Sequence, residues 1–161
     1  MKDSELAKDE VLAGANIRSD TASAQRILVV DDNEYLRRLC VKTLVKAGYG
    51  VTSALDGAAG WEELQLNHYD LIITDNKMPK MTGLEMLERL RSARMSLPVI
   101  MATGFLPTSL FAKQPWLQPD AMLERPFSDG DLLETINRVL RGDANYNAHI
   151  RSRLPHQPEE L

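Results

Sequence analysis

Leu71-Ile72-Ile73-Thr74-Asp75 is a short apolar run that ends in a carboxylate, and the chain breaks soon afterwards at Met78-Pro79. Buried strands of a parallel sheet read this way, apolar on both faces because helices cover both. A second such run, Ile27-Leu28-Val29-Val30, ends in Asp31 and Asp32. Open α/β sheets place their ligand sites at the carboxyl ends of the strands. Two apolar strands therefore deliver three acidic groups to one edge, and the rest of the chain reads as a platform for them.

Working outward, the pattern predicts a first strand over Arg26 to Val30. A helix then starts at Asn33, with Leu36, Leu39, Cys40, Thr43 and Leu44 on one stripe, and Gly48 supplies a left-handed cap. Cys40 on that stripe reads as a core thiol, since no basic residue is placed to lower its pKa. Tyr49 to Ala54 is a second strand, and Asp56-Gly57 turns into a second helix that ends near Asn67. Trp61 and Leu64 are its expected core contacts. Gly60 costs about 1 kcal/mol against Ala in a helix, which points to close packing there. His68 reads as a surface loop residue.

Thr82 is positioned to cap a third helix carrying Leu84, Leu87 and Leu90. Leu97 to Thr103 is a fourth strand, with Pro98 at its start where proline is tolerated. Pro107, Pro115 and Pro119 leave room only for a short helix over Thr108 to Lys113. Ala121 to Glu124 is a fifth strand. Ser128-Asp129-Gly130-Asp131 resembles a capping box ahead of a last helix that carries Leu132, Leu133, Ile136, Val139 and Leu140 and stops at Gly142. Strands alternating with helices predict a five-stranded, doubly wound parallel sheet in the order 2-1-3-4-5. Asp31, Asp32 and Asp75 then converge where the winding reverses. Residues 1–25 and 143–161 are polar and read as flexible tails around a domain spanning 26–142, with a short helix over Ser4 to Leu12 the one element conceivable in the first.

Composition narrows the function. A net charge of -4 gives no general attraction to nucleic acid or an anionic membrane. No apolar stretch is long enough to span a bilayer, and the N-terminus has no signal core, so a cytoplasmic location is expected. The single cysteine excludes an internal disulfide, and His68, His149 and His156 share no zinc-ligand spacing.

Three carboxylates packed together repel one another unless a cation resolves the conflict. Mg2+ suits them, because it takes hard oxygen ligands and usually keeps room for phosphate. Such a site can receive a phosphoryl group, with one carboxylate attacking phosphorus while cations neutralise the developing charge. Asp75 stands alone at its strand end and is the candidate nucleophile; Asp31 and Asp32 are the candidate metal pair. Thr103 ends the fourth strand with a hydroxyl. Arg125 follows the fifth with a guanidinium suited to phosphate oxygens. A threonine or an arginine at such a place is usually only a turn or surface residue. Four of five strands ending in compatible groups is the stronger signal.

Between Arg26 and Arg141 the chain resembles the receiver domain of two-component response regulators, the CheY-like family. The resemblance rests on Ile27 to Asn33, on Asp70 to Asp75 with Met78-Pro79 and Gly83, on Pro98 to Gly104, and on Arg125-Pro126-Phe127. It implies Asp75 as the phosphoacceptor, Asp31 and Asp32 as acidic Mg2+ ligands, the Lys77 backbone carbonyl as a further ligand, Thr103 as a reorienting hydroxyl, and a cis Arg125-Pro126 bond. It implies a signalling domain rather than an enzyme, with at most self-phosphorylation from small donors and self-dephosphorylation. The donor would be a sensor histidine kinase or a histidine phosphotransfer protein. Output would pass by protein contact, without direct nucleic acid or membrane binding, and a homodimer is compatible. Too few residues follow Gly142 for a conventional DNA-binding domain.

Two departures stand out. The family usually has Lys where Arg125 stands, and often Tyr or Phe where Met122 stands. Leu117 to Asp120 also replaces a common Gly-Ala turn. Arg125 and Met122 mildly favour a receiver-like binding module that is not phosphorylated; the intact acidic trio and Thr103 argue more strongly for phosphotransfer. A haloacid-dehalogenase-type phosphatase also uses an aspartate and Mg2+, but its Asp-x-Asp pattern is absent from Asp31-Asp32-Asn33. No glycine-rich turn follows the first strand, so a Rossmann cofactor site is disfavoured.

Overall fold

A computed structural model describes residues 23–105 and 108–142. The tails expected at the two ends, and the helix conceivable over Ser4 to Leu12, fall almost entirely outside the described residues.

The strands are β1 (Arg26–Val30), β2 (Gly50–Ala54), β3 (Leu71–Thr74), β4 (Val99–Thr103) and β5 (Ala121–Glu124). They form one five-stranded parallel sheet in the order β2-β1-β3-β4-β5. The helices are α1 (Glu34–Lys46), α2 (Gly57–Leu66), α3 (Gly83–Ser92), α4 (Thr108–Lys113) and α5 (Asp129–Leu140). The order matches the doubly wound expectation.

The alternation of side chains along each strand explains the two layers. Ile27 and Val29 of β1 pack with Leu71 and Ile73 of β3 against Leu44 of α1 and Leu132 and Ile136 of α5. Leu28, Val30 and Ile72 face the other way, against Leu64 of α2 and Met86, Leu87 and Leu90 of α3. A smaller cluster, Met101, Phe111 and Met122, sits under α4 with Leu84 beside it. Fully burying one such side chain stabilises the fold by about 1.5–3 kcal/mol, so the central strands carry much of the apolar driving force.

Caps set the helix ends. Asn33, Asp56, Thr82 and Ser128 each accept a backbone N–H through the side chain at the start of α1, α2, α3 and α5. The capping box at Ser128 is complete, with Asp131 accepting in return. Gly48 and Gly142 take φ values of 97° and 68° just beyond α1 and α5, a backbone conformation that glycine adopts without a Cβ penalty. The Arg125-Pro126 bond is cis.

Some details differ from the sequence pattern. Leu39 lies on the apolar stripe of α1 yet is 45% exposed, because it borders an open pocket rather than the core. Tyr49 precedes β2 and bonds its hydroxyl to Asn137 instead of joining the sheet. β4 starts at Val99, two residues later than expected, since Pro98 has no N–H to donate. Pro115–Leu117 forms a 3-10 turn that no pattern signalled. Gly60 is packed as expected: a Cβ there would lie 2.9 Å from Cγ2 of Val30.

Candidate functional site

β1 and β3 are neighbours, and their carboxyl ends carry the acidic residues. Val30 pairs with Thr74, so the next residues, Asp31 and Asp75, leave the sheet side by side. The ladder continues one step further, with the Asp31 N–H donating to the Ala54 carbonyl at 3.2 Å and the Asp75 N–H to the Val30 carbonyl at 3.1 Å. One carboxylate oxygen from each of Asp31, Asp32 and Asp75 lies within 4.8 Å of the others. Asp31 is buried, Asp75 half-buried and Asp32 exposed.

Asp31 and Asp75 are each held in place. One Asp31 oxygen, Oδ1, accepts the Asn33 N–H at 2.9 Å, and Oδ2 accepts from the Arg125 guanidinium. The Asp31 carbonyl accepts from Nη1 of Arg37 at 2.8 Å. Asp75 Oδ1 accepts the Asn76 N–H at 2.7 Å, and its Oδ2 lies 3.7 Å from Nη1 of Arg125.

The loop after Asp75 closes tightly. The Asn76 carbonyl accepts the Gly83 N–H at 3.0 Å, and its side-chain oxygen accepts the Leu84 N–H at 3.1 Å. Met78 and Met81 anchor the loop in the core. Lys80 adopts a positive φ of 67° and places its ammonium 3.4 Å from Oδ2 of Asp56. Gly57 packs flat on that loop, where a Cβ would lie 2.2 Å from the Met81 carbonyl. Asp56 thus braces the loop from the end of β2, on the far side of β1. Its carboxyl is held below the usual carboxylate range by the Ala59 N–H first, against the opposing effect of burial, with Lys80 adding to the depression.

The remaining sequence candidates are placed less directly. Thr103 ends β4 and is 3% exposed; its hydroxyl accepts the Phe105 N–H at 3.4 Å. Among the described residues no hydrogen bond joins it to the carboxylates. Lys77 lies in the loop two residues beyond Asp75, with its side chain exposed. Arg125 is brought in fully: its N–H donates to the Thr103 carbonyl at 3.0 Å, and its side chain reaches Asp31 and Asp75. Sequence reasoning reserved that guanidinium for phosphate and missed its bond to Asp31. It also missed Arg37, Asn76, Asp56 and Lys80, whose partners are distant in the chain or are backbone atoms.

A pocket of about 380 Å3 opens beside the carboxylates. Leu36, Leu39 and Cys40 of α1 line it together with Arg125, Phe127 and Asp129. Burial pushes the Cys40 thiol up to about 12; Arg125 pulls the other way, and Asp31 and Asp129 add to the rise.

The donor set suits Mg2+. Three hard carboxylate oxygens converge, one of them exposed, which leaves room for water or phosphate.

A family model described as the response regulator receiver domain matches residues 27–137. The response regulator receiver protein CpdR of Brucella abortus is 35% identical over 116 residues, which covers 72% of this chain and 97% of that protein. Several transcriptional regulatory proteins also match, but the chain spans only about half of their length. Among solved structures, a CheY-like receiver domain protein from Methanospirillum hungatei is 30% identical with a TM-score of 0.70, covering 74% of this chain and 96% of that one. The response regulator TrrA of Thermotoga maritima, solved in complex with Mg(2+)-BeF, is 28% identical with a TM-score of 0.63, covering 71% and 98%. Fold, strand-end acids and relatives agree, and the chain belongs to the receiver domain family of two-component response regulators.

Proposed function

We propose that the chain is a phosphoacceptor switch in which Asp75 accepts a phosphoryl group from a phosphohistidine on a sensor kinase or a histidine phosphotransfer protein. The observation that carries this is the convergence of Asp31, Asp32 and Asp75 within 4.8 Å at neighbouring strand ends. Asp31, Asp32, Asp75 and the Lys77 carbonyl would hold Mg2+. When bound, it would supply positive charge to the oxygens of the transferring group.

The Asn76 N–H engages Oδ1 of Asp75, which supports Oδ2, facing the Arg125 guanidinium at 3.7 Å, as the oxygen that attacks phosphorus. The new O–P bond forms as the P–N bond of the phosphohistidine breaks, and the electron pair leaves on the imidazole nitrogen. The product is an acyl phosphate on Asp75. Its charge offers the Thr103 O–H a strong acceptor, and the Thr103 oxygen accepts the Phe105 N–H only at a long 3.4 Å. Phe105 and Trp116 present exposed apolar side chains on either side of α4, which supports output through protein contact there. Hydrolysis of the acyl phosphate resets the switch.

A receiver-like binding module that is not phosphorylated is the second reading, favoured by the Arg125 guanidinium already seated on Asp31. One experiment separates the two. The purified chain is incubated with Mg2+ and acetyl phosphate, and its intact mass is compared with that of Asp75→Asn. A phosphoryl adduct on the wild type alone supports the switch. An adduct of equal yield on Asp75→Asn removes Asp75 from its role. If acetyl phosphate and a panel of phosphorylated histidine phosphotransfer proteins all leave the wild type unlabelled, the binding module is the better reading.

A further inference from the structure

We propose that Arg125 is an internal cation bridging Asp31 and Asp75, and that Mg2+ enters the acidic site only by displacing it. This rests on the reading of the three carboxylates as a Mg2+ site.

The oxygens of Asp31 and Asp75 already face donors. Asp31 has both oxygens in use, one on the Asn33 N–H and one on Arg125. Asp75 has Oδ1 on the Asn76 N–H and Oδ2 facing the same guanidinium at 3.7 Å. Only Asp32, exposed and without a hydrogen bond among the described residues, stays open. A hard cation needs several of these oxygens at once, so the guanidinium and the metal compete for the same two carboxylates.

The residue type matters. A guanidinium is planar and presents a fork of donors, so one side chain can meet two carboxylates. A lysine ammonium is a compact point charge and spans such a pair less well. The side chains involved are largely shielded, with Arg125 at 22%, Asp75 at 13% and Asp31 at 3% exposure, so the attraction is only partly screened.

The displaced side chain has somewhere to go. The backbone of Arg125 is pinned by its N–H on the Thr103 carbonyl, so only the side chain has to swing. The adjoining pocket of about 380 Å3, with Asp129 on its wall, offers both space and a second carboxylate. Filling the metal site would therefore also reshape the pocket between α1 and α5.

Calorimetric titration with Mg2+ at fixed ionic strength tests this on the full chain, on Arg125→Gln and on Arg125→Lys, with circular dichroism confirming the fold of each. Arg125→Gln should bind Mg2+ about tenfold tighter or more, the scale of releasing one shielded ion pair. Arg125→Lys should fall between it and the wild type. Thermal melts give a second readout. Without Mg2+, Arg125→Gln should melt below the wild type, since the acids lose their counter-ion, and Mg2+ should raise its melting point more than that of the wild type. Equal Mg2+ affinity in wild type and Arg125→Gln would overturn the proposal while leaving the metal site intact. Arg125→Lys matching the wild type while Arg125→Gln binds tighter would reduce Arg125 to a simple charge and overturn the bridge. No Mg2+ binding by any of the three would overturn the metal reading itself, and the inference with it.

Discussion

A Cβ on Gly83 would lie 2.2 Å from the carbonyl oxygen of Asp75. The first residue of α3 therefore packs directly on the backbone of the candidate phosphoacceptor, and no side chain fits between them. The Gly83 N–H also donates to the Asn76 carbonyl at 3.0 Å, so the loop and the helix start cannot separate without losing that bond. Gly83→Ala should cost at least about 1–3 kcal/mol, the usual range for overpacking. It should also lower the rate of phosphoryl adduct formation on Asp75, because the carboxylate moves with its backbone. Urea unfolding and intact mass measure the two effects; an unchanged unfolding midpoint would contradict the close packing.

Asp56 should make the fold sensitive to acid. Its folded pKa lies below the ordinary 3.8, set mainly by the Ala59 N–H and helped by Lys80. Between the two values the unfolded chain binds more protons than the folded one, so stability falls as the pH drops. The contribution is present above 3.8 and is lost as the pH falls through that value toward the lower folded one. Asp56→Asn keeps a capping acceptor but removes the charge and the Lys80 pair. Urea midpoints taken between about pH 6 and about pH 3 should show a steeper acid loss in the wild type than in the variant. Parallel curves would assign the effect to other carboxylates.

Cys40 should behave as an inert thiol in the native state. Burial holds its pKa at about 12 against an ordinary 9.0, so the reactive thiolate is scarce near neutral pH. It is the only cysteine in the chain, which makes a thiol reagent report on it alone. Modification near pH 8 should be on the order of a hundredfold slower in native buffer than in urea. The shift carries a sign for stability too. The folded thiol resists ionisation, so stability is intact below 9.0 and declines as the pH rises through that value toward 12. Equal rates in buffer and urea would show an open, ionisable thiol.

Much of the fold was legible because each strand announced itself locally. β3 is three apolar residues and Thr74, buried throughout and followed by a carboxylate, and β1 repeats that plan. The caps at Thr82 and Ser128 were legible for the same reason, since a cap bonds within three residues of itself. The acidic trio follows from β1 and β3 being neighbours. What escaped depends on contacts across the chain. Asp56-Gly57 signals a turn, but nothing local says that Lys80 will brace it. Leu39 fits the helical stripe of α1, yet the pocket beside it leaves it half uncovered. Asp120 read as part of an unusual turn, whereas its carboxylate accepts the Val99 N–H at 2.8 Å and starts β4. Arg125 carried the right charge for the site, but its reach to Asp31 spans 94 residues of sequence and is visible only in three dimensions.

Met122 should matter for stability and not for phosphoryl transfer. It pairs in register with Met101 across β4 and β5, and the two side chains pack with Phe111 under α4, beside Leu84. The cluster lies on the face of the sheet opposite α5, and none of its side chains bonds the carboxylates. Met122→Ala should cost about 2–5 kcal/mol through the cavity it leaves, and Met122→Leu less than about 1.5 kcal/mol because volume is kept. Both variants should still form the Asp75 adduct when folded, since Asp31, Asp32 and Asp75 are positioned by β1 and β3. Urea unfolding followed by intact mass on the same samples checks both halves. A folded Met122→Leu that no longer forms the adduct would tie this cluster to the chemistry and contradict the separation.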